Sequence, residues 1–258
     1  MKHALVTYAV PSLAGFAAGA MNALAGGGSF VTIPAFIAAG VPTVQANISS
    51  TVALYPGGLA GAWAWHRGLV PVGGVSLRVL GLVTAAGGFL GGSLLLWTPS
   101  SAFDLIIPWL LLFATLLLAF GNGVGALLRR HVAIGPSAML AIQFVLGAYG
   151  GYFGGGVGIM MMSVWSVLGT TDFRQLHPAR ALMVSSANTA AVALFVVARA
   201  VAWRPTLVML AGAIFGGYAG GYVGGRLDAR VIRAGTLVIT GAITAIFFAR
   251  AYGYPMPR

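Results

Sequence analysis

The sequence predicts an all-α, polytopic integral membrane protein made of two similar halves, and three observations carry that prediction. Charged residues make up 7% of the 258-residue chain and hydrophobic residues 59%, whereas a soluble domain carries about 25% charged residues. Apolar runs long enough to cross a bilayer as a helix recur along the whole length. A glycine triplet set in apolar sequence occurs twice, at 26–28 and at 154–156. No stretch is left for a separate soluble domain.

Taken in order, the first apolar segment covers about residues 4–24. With Lys2 ahead of it and Ala23-Leu24-Ala25 at its end, it imitates a signal peptide. The recurrence of its glycine break in mid-chain, where no signal peptide acts, makes it a first span. The short piece "SFVTIPAFIAAG" (29–40) follows. Its dozen residues make only about 20 Å of helix against a hydrocarbon core of ~30 Å. Long segments then come at about 46–65, 76–97, 103–128 and 132–152. A second short piece, "VGIMMMSVWSVLG" (157–169), precedes the last long segments at about 179–198, 205–225 and 231–250.

The order of features in the first half returns in the second. Gly26-Gly27-Gly28 corresponds to Gly154-Gly155-Gly156, and each short piece ends on a glycine, Gly40 or Gly169. "NISST" (47–51) then answers to "VSSANT" (184–189), and "GGFLGG" (87–92) to "GGYAGGYVGG" (216–225). The offset is 128 at the triplets, 136 at the serines and 129 at the glycine pairs, so an insertion of 8 residues and a later deletion of 7 align the halves. We therefore expect two membrane repeats, 1–130 and 131–258, each of four long spans and one glycine-initiated half-helix. A duplicated bundle with its substrate site between the repeats is a common transporter plan.

Whether each short piece turns back or helps to cross decides between eight and ten crossings, hence between parallel and inverted repeats. Counting basic residues by the positive-inside rule gives nine inside and five outside under both schemes. Charge alone leaves the two topologies level.

The stretches "AGGGSFVTIPAFIAAGVPTVQANISSTVALYPGGLAGAWAWHRGLV" (25–70), "GAYGGYFGGGVGIMMMSVW" (147–165), "ARALMVSSANTAAVALF" (179–195) and "GGYAGGYVGGRL" (216–227) resemble the sulfite exporter TauE/SafE family, also called TSUP transporters. With the apolar spans between them, the resemblance covers nearly the whole chain. It implies a duplicated bundle of seven to nine spans that passes sulfite, thiosulfate, sulfoacetate or other organosulfonates across a bacterial-type cytoplasmic membrane. The second half departs from the pattern in "TTDFRQLHPAR", which is more basic than the family's loop, and in lacking a counterpart of Pro34.

The residues support anion chemistry independently. A helix start presents backbone N–H groups without intrahelical partners and the positive end of the helix dipole. Half-helices beginning at Gly28-Ser29 and Gly156-Val157 would aim two such ends at a substrate, and glycine lets backbone approach it closely. Gly26, Gly27, Gly28, Ser29, Gly154, Gly155 and Gly156 are accordingly candidate substrate-binding positions. Asn47, Ser49, Ser50 and Thr51, with Ser185, Ser186, Asn188 and Thr189 on the counterpart helix, can hydrogen-bond oxyanions without the cost of a buried charge. Arg180, five residues before Ser185, offers a planar fork of donors. Gln45, Gln143, Tyr149 and Tyr152 are weaker candidates. The glycines four apart, Gly87/Gly91, Gly88/Gly92 and Gly216/Gly220/Gly224, read instead as helix-packing stripes.

Charge and composition narrow the class. The net charge of +11 comes from 14 basic residues, 13 of them arginine, against three acids. Most bases flank apolar spans, which reads as interfacial anchoring and not as nucleic-acid binding. Asp104 begins a span while Asp172 and Asp228 sit in basic loops, so no carboxylate lies deep in a span. An inside-negative potential of 100 mV supplies about 2.3 kcal/mol per exported charge, roughly a 50-fold gradient. Outward, carboxylate-independent anion passage is therefore the expected mechanism. No cysteine is present, the four histidines have no metal spacing, and no hydrolytic constellation occurs, so neither an enzyme nor a cofactor is expected. The partners implied are a small anion and membrane lipids. The alternatives are a carrier of another small organic solute and a non-transporting membrane scaffold subunit.

Overall fold

The computed structural model describes residues 9–24, 26–64, 69–128, 135–165, 167, 173–224 and 226–253. Among these residues the regular structure is helical, in ten helices. They are α1 (Val10–Leu24), α2 (Ser29–Ala38), α3 (Thr43–Ala64), α4 (Leu77–Trp97) and α5 (Ser100–Leu128), then α6 (Pro136–Tyr152), α7 (Val157–Trp165), α8 (Phe173–Val197), α9 (Trp203–Gly224) and α10 (Ala229–Tyr252). The turn before α4 carries one isolated bridge, Val72 to Val75.

Local chemistry sets several of the boundaries. After α2, Gly40 takes φ +85° and the Val41 amide reaches back to the Phe36 carbonyl at 3.0 Å, a Schellman stop. Within the expected segment at 132–152, α6 starts at Pro136, where proline follows extended Gly135 and needs no amide partner. Asp228 caps α10 by accepting the Arg230 amide at 2.7 Å.

Among the described residues, five stretches are long and apolar enough to cross a membrane: Leu77–Trp97, Ser100–Gly121, Leu176–Val197, Trp203–Val223 and Arg230–Tyr252. The other expected spans differ for readable reasons. α1 and α6 have 15 and 17 residues. α3 has 22 residues but carries Gln45, Asn47, Ser49, Ser50 and Thr51, which lower its hydropathy. α2 and α7, at 10 and 9 residues, are the expected short pieces.

The contacts within the chain divide it into two units. The first holds 1–54, 98–116 and 200–258; the second holds 55–97 and 117–199. Each unit draws helices from both sequence halves, and α3 and α5 each contribute one part to either unit.

In the first unit α1 packs along α9. Their backbones touch through glycine: a Cβ at Gly212, Gly216 or Gly220 would collide with Ser12, Phe16 or Ala20, and one at Gly15 or Gly19 with Met209 or Ala213. α2 rests on α1 and α10. Phe36, Ala46, Ala53 and Met209 form a buried core there.

The second unit repeats the pairing with the halves exchanged. α4 packs on α6 through Gly87 and Gly91, which meet Phe144 and Ala148, and through Gly147 and Gly151, which meet Thr84 and Gly88. The neighbouring stripe, Gly88 and Gly92, faces Ala187 and Ala191 of α8. Lipid offers no hydrophobic drive for helix association, so such close backbone approach supplies it by dispersion. Leu80, Met139, Leu146, Met161, Trp165 and Met183 fill the core.

Candidate functional site

The first triplet lies in the first unit. Gly26 has φ +80°, and its amide bonds the Met21 and Asn22 carbonyls at 3.2 and 3.1 Å, closing α1. The chain then doubles back on α1: a Cβ on Gly28 would stand 2.8 Å from the Ala18 carbonyl oxygen, and one on Gly27 2.8 Å from Met21 Cε. Glycine is needed at Gly26 for a left-handed turn and at Gly28 for space against backbone, while the Met21 methyl group beside Gly27 can move aside. Phe30 and Val31 donate the first bonds of α2, to Gly27 and Gly28, which leaves the Ser29 amide ahead of its bonded turns.

The polar residues of α3 are largely engaged within this unit. Ser49 Oγ accepts the Ala202 amide at 3.0 Å, so it caps the entry to α9. Ser50 bonds Thr32 of α2, whose hydroxyl also lies within reach of the Gly28 carbonyl. Thr51 donates to the Asn47 carbonyl at 3.1 Å. Asn47 and Ser49 are buried, 1% and 0% exposed. Thr43 donates to Asp104, tying the start of α3 to the N-terminal part of α5.

The second triplet, in the second unit, is built differently. Gly154 and Gly156 both have left-handed φ, +77° and +75°, while Gly155 is held by the Tyr149 hydroxyl, which donates to its carbonyl at 3.1 Å. Val157 folds back beside Gly150, where a Cβ would meet Val157 at 3.3 Å and Ala187 of α8 at 3.5 Å. Ile159 donates the first helical bond of α7, to Gly156, so the amides of Val157 and Gly158 stand ahead of the bonded turns.

Arg180 comes to this break. Its side chain runs past Gly158, where a Cβ would lie 3.4 Å from Arg180 Cδ and 3.5 Å from Val184. Arg180, Val184 and Asn188 are four residues apart and share one face of α8. Arg180 is half-buried. Asn188 Oδ1 is buried with no hydrogen-bond partner. Its neighbours are engaged: Ser185 donates to Gly58 at 3.2 Å, Ser186 to Leu182 at 2.9 Å, and Thr189 to Ser185 at 2.7 Å while bonding Tyr55 at 2.8 Å.

The structure thus gathers Gly154, Gly155, Gly156, Arg180, Ser185, Ser186 and Asn188 into one unit, and Gly26, Gly27, Gly28, Ser29, Asn47, Ser49, Ser50 and Thr51 into the other. Gly158 was not among the expected positions, although "GGGVG" displays it; only the fold brings Arg180 alongside. Gln143 serves elsewhere. It is fully buried, donates to Thr84 Oγ1 at 2.9 Å and accepts from Trp165 Nε1 at 3.3 Å. His66 and Arg67 lie outside the described residues, as does the side chain of Arg174. His177 is exposed. Among the described residues no group of acids and histidines could hold a metal ion.

Comparison with known proteins identifies the family. The family model for sulfite exporter TauE/SafE matches residues 12–247. "Probable membrane transporter protein ORF9" of a Sinorhizobium species is 26% identical over 235 residues, which is 90% of this chain and 88% of the relative. A probable membrane transporter protein of Haemophilus influenzae is 27% identical, covering 90% of each chain. Probable membrane transporter protein YfcA of Escherichia coli K12 is 23% identical over 96% of this chain and 90% of its own length. No solved structure gives a significant match. A family match that runs from α1 into α10, on a chain of apolar helices, shows that this multi-pass membrane protein belongs to the sulfite exporter TauE/SafE family of membrane transporters.

Proposed function

We propose that the protein carries small sulfur-containing anions, such as sulfite, thiosulfate or organosulfonates, outward across the membrane, and that the second glycine break is an anion-facing element of the path. The observation that carries the reading is Arg180 laid along the first turn of α7 beside Gly158. A guanidinium and the unbonded amides of a helix start are two donor sets suited to one oxyanion. Asn188, two turns along the same face, has a buried Oδ1 with no hydrogen-bond partner. Its carboxamide can turn to present donors in place of an acceptor. The family's name supplies sulfite as the first substrate to try.

The same reading takes the chain as two repeats, 1–130 and 131–258, of four spans and a half-helix each. In its support, the first span of either half packs on the glycine-striped span of the other, α1 on α9 and α6 on α4.

A binding panel tests the site. Thermal stabilisation of the purified protein is measured with sulfite, thiosulfate, sulfate, an alkanesulfonate and neutral solutes of similar size, on wild type, Arg180→Gln and Asn188→Ala. Stabilisation by the sulfur anions that Arg180→Gln abolishes and Asn188→Ala weakens is the expected result. Stabilisation by neutral solutes alone, or anion binding unchanged in both variants, overturns the assignment.

A further inference from the structure

A second polar feature lies at the turn from α9 to α10 in the first unit. Three arginines fall within eight residues there, Arg226, Arg230 and Arg233, with Asp228 as the single acid. All three are exposed. Arg226 is held in place: its guanidinium carbon lies 4.1 Å from the centre of the Tyr222 ring, and its Nη2 donates to the Tyr222 hydroxyl at 2.7 Å. That arrangement uses one of five guanidinium donors and one ring face. Asp228, itself exposed, caps α10 by accepting the Arg230 amide. Arg230 and Arg233 are three apart in the first turns of α10 and so project from one side of it.

Apolar side chains lie between these charges. Tyr222 is 61% exposed, Leu227 44% and Val231 61%. The turn joins two apolar helices long enough to cross, Trp203–Val223 and Arg230–Tyr252, so the patch sits where a span meets the headgroup layer. The far end of α10 contrasts with it. There Tyr252 is tied within the protein, accepting from Trp109 Nε1 at 2.9 Å and donating to Leu105 at 3.0 Å. Arg250 is the one base in that last turn.

We infer that the α9–α10 turn is a docking site for an anionic phospholipid, with Arg226, Arg230 and Arg233 on the phosphate and Tyr222, Leu227 and Val231 against the glycerol and upper acyl chain. Guanidinium groups bind phosphate through paired donors. A free phosphate would satisfy the arginines and leave the exposed apolar side chains unused. A zwitterionic lipid would satisfy the apolar side chains but bring no net negative charge to a segment that has three arginines and one acid. An anionic phospholipid meets both requirements, and basic segments beside a span attract such headgroups electrostatically. This site is independent of the transport reading.

The test follows thermal unfolding of the full chain in a neutral detergent with added phosphatidylglycerol, phosphatidylcholine or inorganic phosphate. A ligand that binds only the folded state raises its Tm. Phosphatidylglycerol should raise the Tm of wild type by several degrees, the others should not, and added salt should erode the rise. The R226Q/R230Q/R233Q variant should keep the lipid-free Tm and lose most of the rise, while R250Q keeps it. If the triple variant folds poorly, the single variants R230Q and R233Q replace it, each expected to lose part of the rise. An equal rise with phosphatidylcholine or with phosphate, or a full rise in the variants, overturns the assignment.

Discussion

Gln143 shows how a polar residue in an apolar helix takes its role from its partners. It was a weak candidate for touching substrate, yet it is fully buried and bonded to Thr84 and Trp165. Thr84 in turn donates to the Leu80 carbonyl at 2.6 Å. The network joins α4, α6 and α7, and so fixes the half-helix whose start lies at the second glycine break. Thr84→Val should cost about 1 kcal/mol, because it removes an acceptor of the Gln143 amide. In a Gln143→Leu background the same change should cost much less, since the two residues act as one unit. Unfolding of the single and double variants measures the difference, and strictly additive costs would refute the coupling.

At the scale of elements, glycine does two separate jobs that composition alone does not distinguish. Gly91 of α4 lies against the Ala148 carbonyl of α6, whereas Gly241 of α10 has open space where a side chain would go. Gly91→Ala should therefore destabilise by about 1–3 kcal/mol through overpacking. Gly241→Ala should be neutral or stabilise by up to about 1 kcal/mol through helix propensity. Comparing their thermal unfolding checks the assignment, and equal effects would contradict it. The stripes themselves were legible in the sequence because spacing by four is a local signal. Their partners were not: the residue that fills the gap beside Gly88 is Ala187, far along the chain. The glycine triplets were legible as breaks for the same local reason, but not that one packs on α1 and the other is held by Tyr149.

At the scale of the molecule, helix positions were readable and helix pairing was not. Apolar runs give the first directly; α1 on α9 and α4 on α6 and α8 depend on contacts between distant segments. α3 shows the opposite limit, a long helix whose polar cluster removes it from the spans recognised by hydropathy. Because each unit takes helices from both halves, residues 1–130 and 131–258 expressed separately should be degraded, and co-expressed they should purify together. Independent folding of either piece, followed by its yield and proteolytic resistance, would contradict that interdependence.

The central claim, that Arg180 at the second glycine break serves outward anion passage, is tested most directly by sulfite efflux from proteoliposomes under an imposed potential. Wild type should release sulfite faster than protein-free liposomes, and faster still when the interior is negative. Arg180→Gln should slow release by about tenfold or more, as loss of a charged hydrogen bond of about 1.5–3 kcal/mol requires. Wild-type release no faster than from protein-free liposomes, release indifferent to the potential, or a variant as fast as wild type would contradict the account.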